Sequence, residues 1–77
     1  MNEKIFVVIP AFNEGKNIGS ILSDLLTAGY NNLVVVDDCS EDNTLQVVSN
    51  FPVFLLHHAI NRGQGASLKT GIDFALK

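Results

Sequence analysis

Three short apolar runs constrain this chain more than any other feature. Ile5–Ile9, Leu33–Val36 and Val53–Leu56 are built from β-branched residues, leucine and phenylalanine, with no polar alternation. An unbroken apolar run of this length suits a strand covered on both faces, as in a parallel sheet. The first run is read as a strand over Lys4–Pro10, ended by Pro10. Between the runs the period changes. Ile18, Ile21, Leu22, Leu25 and Leu26 form one helical stripe closed by Gly29. Asn13 is placed to cap that helix, with Glu14 in its first turn. Ser40 or Asp42 is placed to cap a second helix, which carries Leu45, Val47 and Val48 inward and stops at Phe51-Pro52. Leu68, Ile72, Ala75 and Leu76 define the inward stripe of a third helix.

The order is therefore βαβαβα. It predicts an α/β fold: a parallel sheet of strand order 3-2-1 with right-handed crossovers, in a three-layer α/β/α, Rossmann-like arrangement. Two crossovers of the same hand put the first two helices on one face and leave the third to cover the other. Sheets of this kind bind ligands beyond the carboxyl ends of their strands, where the strand order reverses. Here that place is the Pro10–Glu14 loop, flanked by Asp37-Asp38 and the loop over 61–65.

Composition narrows the function classes. With 77 residues, 47% hydrophobic and 17% charged, the chain has a globular composition. The apolar runs are too short to cross a bilayer, and no leader-like stretch follows Met1. A single cysteine cannot form an internal disulfide, and the expected setting is the cytoplasm. A net charge of −3, with five basic residues spread along the chain, argues against a nucleic-acid partner.

The loops carry the candidate chemistry. Carboxylates at Asp37 and Asp38 suit the N–H donors of a base, ribose hydroxyls or a metal ion, and would repel a bare diphosphate. Adjacent strand residues point to opposite faces, so one of the pair faces a given ligand. The competing reading is that one of them caps the following turn. Phe12 offers a stacking face, and Asn13 and Glu14 offer polar contacts; a cap and a core phenylalanine would explain the same residues. Asn61–Gly71 holds two close glycines before a helix, a geometry that can expose N–H groups to phosphate, with Arg62 and Lys69 nearby. Two phosphate motifs fail. Leu68 stands where a Walker loop needs glycine, and the first strand-to-helix turn has Gly15 alone where a dinucleotide fingerprint needs several. His57 and His58 point apart and make a poor metal pair, while two acidic neighbours disfavour a Cys39 thiolate.

Three segments in this order resemble the start of the family-2 glycosyltransferases: Val7–Glu14, Val36–Thr44 and Asn61–Ala66, with Lys69 and Gly71 behind the last. Among these the chain is most similar to the polyprenol- and dolichol-phosphate sugar transferases. The resemblance implies the nucleotide-sugar (GT-A) fold, with residues 1–77 as its N-terminal, nucleotide-binding portion. It implies a wall of the nucleotide pocket at Pro10, Ala11, Phe12, Asn13 and Glu14, with Phe12 in a position usually held by tyrosine. It implies that Asp37 or Asp38 accepts from the base or ribose, and that Asn61, Gly63 and Lys69 lie near the nucleotide or its phosphates. Cys39 stands where the family mostly has glycine.

The implied reaction is inverting transfer of a sugar from a nucleoside-diphosphate sugar to an acceptor, a lipid phosphate or a saccharide. A divalent metal, Mg or Mn, would be held by an Asp-x-Asp motif that lies beyond residue 77, together with the catalytic base. The portion in hand is then expected to be inactive alone, with any membrane association arising from regions past residue 77. The competing function is a non-enzymatic nucleotide-binding or assembly module that forms homo-oligomers through an exposed first strand.

Overall fold

The computed structural model describes residues 5–77. Its elements alternate: β1 (Phe6–Ala11), α1 (Ile18–Thr27), β2 (Asn32–Asp37), α2 (Thr44–Val48), β3 (Phe54–His57) and α3 (Gln64–Ala75). The three strands form one parallel sheet in the order β1-β2-β3. Leu33, Val34, Val35 and Val36 of the central strand are all fully buried, which is the burial an unbroken apolar run demands.

Alternation along the strands sends side chains to two different partners. Val7, Ile9, Leu33 and Val35 join α1 and α2 through Ile18, Leu22 and Val48 in the main apolar core. Fully burying a side chain such as Leu22 or Ile18 contributes roughly 1.5–3 kcal/mol. On α3, Gly71 lies against Val8 and Val36, so close that an added Cβ would stand 2.2 Å from Val8 Cγ1. Towards the amino ends of the strands, Phe54 packs between Phe6 and Phe74, with ring centroids 6.5 and 5.2 Å away.

Several local expectations are corrected. Ile5 precedes the strand, which begins at Phe6, and Lys4 lies outside the described residues. Pro10 does not end β1; the strand runs through it to Ala11. Because Asp38 N donates to Ala11 O (2.9 Å), the alternate residue Pro10 turns its nitrogen away from β2, to a side where no strand pairs among the described residues and a missing N–H breaks no ladder bond.

Asn13 does not cap α1, which starts five residues later at Ile18; residues 13–15 are instead bonded to the loop after β2 and to Thr44 at the start of α2. Gly29 closes α1 as expected. At φ 99° it permits the paired bonds Gly29 N to Leu26 O and Tyr30 N to Leu25 O, both 3.1 Å. Of the first helical stripe, Ile18 and Leu22 are buried, but Ile21 is 42% exposed. Asp42 accepts from Thr44 N (2.9 Å) at the start of α2.

The largest correction concerns α3. Leu68, Ile72 and Leu76 face outward, and its buried residues are Ser67 and Gly71. The helical period is right but the inward face lies one residue earlier, along Ser67, Thr70, Gly71 and Phe74. A glycine and a serine on that line let the helix descend onto the sheet, which bulkier residues would prevent.

Candidate functional site

The ladder continues one residue past the strands. Asp38 N donates to Ala11 O and His58 N to Asp37 O, both 2.9 Å. These bonds fix the positions from which Asp37, Asp38 and both histidines project.

Asp37 and Asp38 are both buried, and they do different things. Asp37 closes the turn after β2. It accepts from Ser40 N (3.1 Å) and from the Ser40 hydroxyl, and His57 Nδ1 lies 3.2 Å from Oδ2. Its carboxylate is thereby consumed by the turn. Asp38 points the other way, towards α3. Its Oδ1 accepts from Arg62 N (2.8 Å) and contacts His58 Nδ1 (2.9 Å), and its Oδ2 accepts from Gly63 N (2.7 Å). His58 Nε2 lies 2.9 Å from Thr70 Oγ1, so a neutral imidazole protonated at Nδ1 satisfies both neighbours. Burial pushes the Asp38 carboxyl up, but the bonds from Arg62, His58 and Gly63 outweigh it and hold the group below 3.8. A carboxylate accepts about four hydrogen bonds. Asp38 has three of these filled and keeps capacity on Oδ2.

A cleft of about 390 Å³ opens beside that carboxylate. Its lining comes from the end of β1 and the loop after it (Pro10, Ala11, Phe12 and Glu14), from the end of β2 (Asp38), and from the approach to α3 and its first turn (Asn61, Gly63, Gln64 and Ser67). Phe12 is 45% exposed. Among the described residues that line it there are two carboxylates and no lysine, arginine or histidine. Such a cleft favours an uncharged, hydrogen-bonding ligand surface over phosphate.

Seven of the ten candidate residues thus line the cleft: Pro10, Ala11, Phe12, Glu14, Asp38, Asn61 and Gly63. Asn13, Asp37 and Lys69 do not. Asn13, at φ 53°, turns its side chain away to accept from Glu41 N (2.7 Å), and its own N donates to Ser40 Oγ (2.9 Å). Glu14 N donates to Thr44 Oγ1 (2.9 Å) and Gly15 N to Asp42 Oδ2 (3.0 Å). These four bonds stitch the first loop to the second and set the cleft wall. The Thr44 hydroxyl bonds hold the Asp42 carboxyl below 3.8, against the opposing effect of burial, with help from Gly15 N and Thr44 N.

Lys69 is exposed on α3 and pairs with Asp73 at 3.0 Å. Two lining residues, Gln64 and Ser67, were not singled out from sequence. Cys39 sits at φ 62° with Sγ 3.4 Å from Ala59 O, a left-handed position where glycine would carry no strain. Among the described residues there is no group of three or more His, Cys, Asp or Glu side chains that could hold a metal. Asp37 is taken up by its turn, and the one acceptor position left on Asp38 does not by itself make a metal site. Also among the described residues, no helix is long and apolar enough to cross a membrane.

A parallel sheet carrying a polar cleft at its carboxyl edge defines a class of ligand-binding α/β domains, and comparison with known proteins narrows it. Residues 6–77 match Glycosyl transferase family 2, and the chain belongs to that family. It is 50% identical over 74 residues to an uncharacterized protein of Methanocaldococcus jannaschii, covering 96% of this chain and 30% of that one. It is 31% identical to the UDP-N-acetylglucosamine–dolichyl-phosphate N-acetylglucosaminyltransferase of Methanococcus voltae, covering 92% of this chain and 35% of the relative. A dolichyl-phosphate beta-glucosyltransferase of Trichomonas vaginalis is also 31% identical, with 84% and 25% covered. The chain thus spans about a third or less of the length of these relatives. No solved structure gives a significant match.

Proposed function

We propose that this chain is the nucleotide-recognising portion of an inverting glycosyltransferase of the GT-A type, and that the cleft receives the base and ribose of a nucleoside-diphosphate sugar. The observation that carries this reading is the Asp38 carboxylate, buried in the cleft lining with acceptor capacity to spare, in a cleft that also presents the exposed Phe12. A flat heterocycle stacked on Phe12 would turn an N–H towards Asp38. Glu14, on the same wall, is placed for a ribose hydroxyl. The absence of positive charge among the lining residues supports leaving the diphosphate at the cleft mouth rather than inside it.

The name of one relative suggests a UDP-sugar donor, and the names of two suggest a dolichyl-phosphate acceptor. The divalent metal and the catalytic base would come from parts of the enzyme outside residues 5–77, and this portion alone would not turn over. Asp38 and the residues around it would bind and orient the donor.

The test is a two-dimensional amide spectrum of the chain titrated with UDP and with GDP, with and without magnesium. The reading expects shifts at Phe12, Glu14, Asp38 and Gly63 for one of the two nucleotides, present without the metal. A dispersed spectrum that ignores both nucleotides would overturn it.

A further inference from the structure

Ser67 has no place in the account so far. Its side chain is fully buried in the fourth position of α3, it lines the cleft, and its Oγ has no hydrogen-bond partner among the described residues. The usual refuge of a helical serine, the carbonyl four residues back, is not taken: Gly63 O receives the Ser67 backbone N–H at 3.1 Å but not the hydroxyl. Packing does not explain the residue either. A small side chain is needed where α3 comes down onto the sheet, but alanine is as small, has the higher helix propensity and strands no polar atom. A buried hydroxyl without a partner weakens the free protein, and a ligand that enters the cleft would supply one.

We propose that Ser67 is a specificity residue of the cleft, its hydroxyl donating a hydrogen bond to a carbonyl oxygen of the bound nucleobase. This rests on the reading of the cleft as a base-and-ribose site. The direction of the bond follows from the company Ser67 keeps. Asp38 and Glu14 can only accept, so they select the N–H and O–H groups of a ligand and leave its carbonyls without a charged partner. The Ser67 hydroxyl is the buried side-chain donor of the lining. Phe12, Asn61 and Gln64 are the exposed lining side chains, and movement among them would admit a ligand atom to it. Uracil and guanine both carry a ring N–H beside a carbonyl and would satisfy Asp38 and Ser67 together. Adenine has no carbonyl and would leave the hydroxyl as stranded as it is in the free protein.

Calorimetric titration of UDP, GDP and ADP, without metal, into the wild-type chain and into Ser67→Ala tests this. The wild type should bind UDP or GDP more tightly than ADP. Ser67→Ala should weaken that preferred nucleotide by about three- to tenfold, the worth of one neutral hydrogen bond, and leave ADP unchanged. The melting temperature of the unliganded variant should match or exceed that of the wild type, because a stranded hydroxyl has been removed. Equal affinities in the two proteins, an equal loss for ADP, or a fall in melting temperature would each overturn the proposal. A wild type that binds a nucleotide which Ser67→Ala binds equally well defeats the role of Ser67 alone. A wild type that binds none of the three defeats the base-site reading, and this proposal with it.

Discussion

The two faces of the sheet are held in different ways. Towards α1 and α2, large apolar side chains fill a conventional core: Ile18, Leu22, Leu33, Val35 and Val48 are all buried. Towards α3, the middle of the contact is Gly71 against Val8 and Val36, with a half-exposed aromatic cluster at one end and the Asp38–His58–Thr70 chain at the other. One face is stabilised by volume; the other by close backbone approach and polar ties. Ligand sites favour the second kind of construction, because a helix held by polar groups near its N-terminus leaves room for a cleft that a packed core would fill.

This contrast can be broken from either side. Leu22→Ala removes volume from the first face and should have the largest effect, about 2–5 kcal/mol, read from urea unfolding. Gly71→Val does the reverse, driving atoms into Val8 and Val36, and should cost about 1–3 kcal/mol despite valine's better helix propensity. If Gly71→Val were stabilising, the close approach of α3 would be wrong.

Acid should separate the faces more gently. Asp38 is held below its ordinary value of 3.8 in the folded chain, so its contribution is fully present above that value. It is lost as pH falls from 3.8 through the lower native value. Asp42 shifts in the same direction on the other side, but there the apolar core remains when the carboxylate is protonated. Hydrogen exchange below pH 4 should therefore show the amides of α3 losing protection before those of α1. The smallest effect belongs to Ile72→Gln. That side chain is 50% exposed, and the change should stay within about 0.5 kcal/mol, where a buried stripe residue would cost several times more.

Much of the fold was legible in the sequence because β2 is covered on both faces and so had to be continuously apolar. The Gly29 terminus was legible because the paired bonds that close α1 require a left-handed residue. The inward face of α3 was not. Its stripe was read from Leu68, Ile72 and Leu76, on the rule that large apolar residues point inward, and that rule fails where a glycine lets the backbone itself make the contact.

Asn13 misled for a related reason. Its residue type suits a helix cap, but the same side chain serves equally well as an acceptor for Glu41 N, 28 positions away, and local sequence does not record a partner that distant. At the site, Asp38 and Phe12 were marked by their position after strands. The separate duties of Asp37 and Asp38 were half legible, since alternation requires them to diverge but does not say which one meets the cleft. Ser67 carried one overlooked signal, a polar residue four positions before a glycine on the same helical line.

Pro10 has a consequence for how the sheet can grow. Along β1 the groups that face the open side belong to Phe6, Val8 and Pro10, and the last of these has no proton to give. A strand laid against this edge finds donors at the first two positions and only a carbonyl at the third. Pairing there loses a rung just where it would reach the cleft, so an added strand gains least by extending across the mouth, and the loops around the cleft keep their access to solvent.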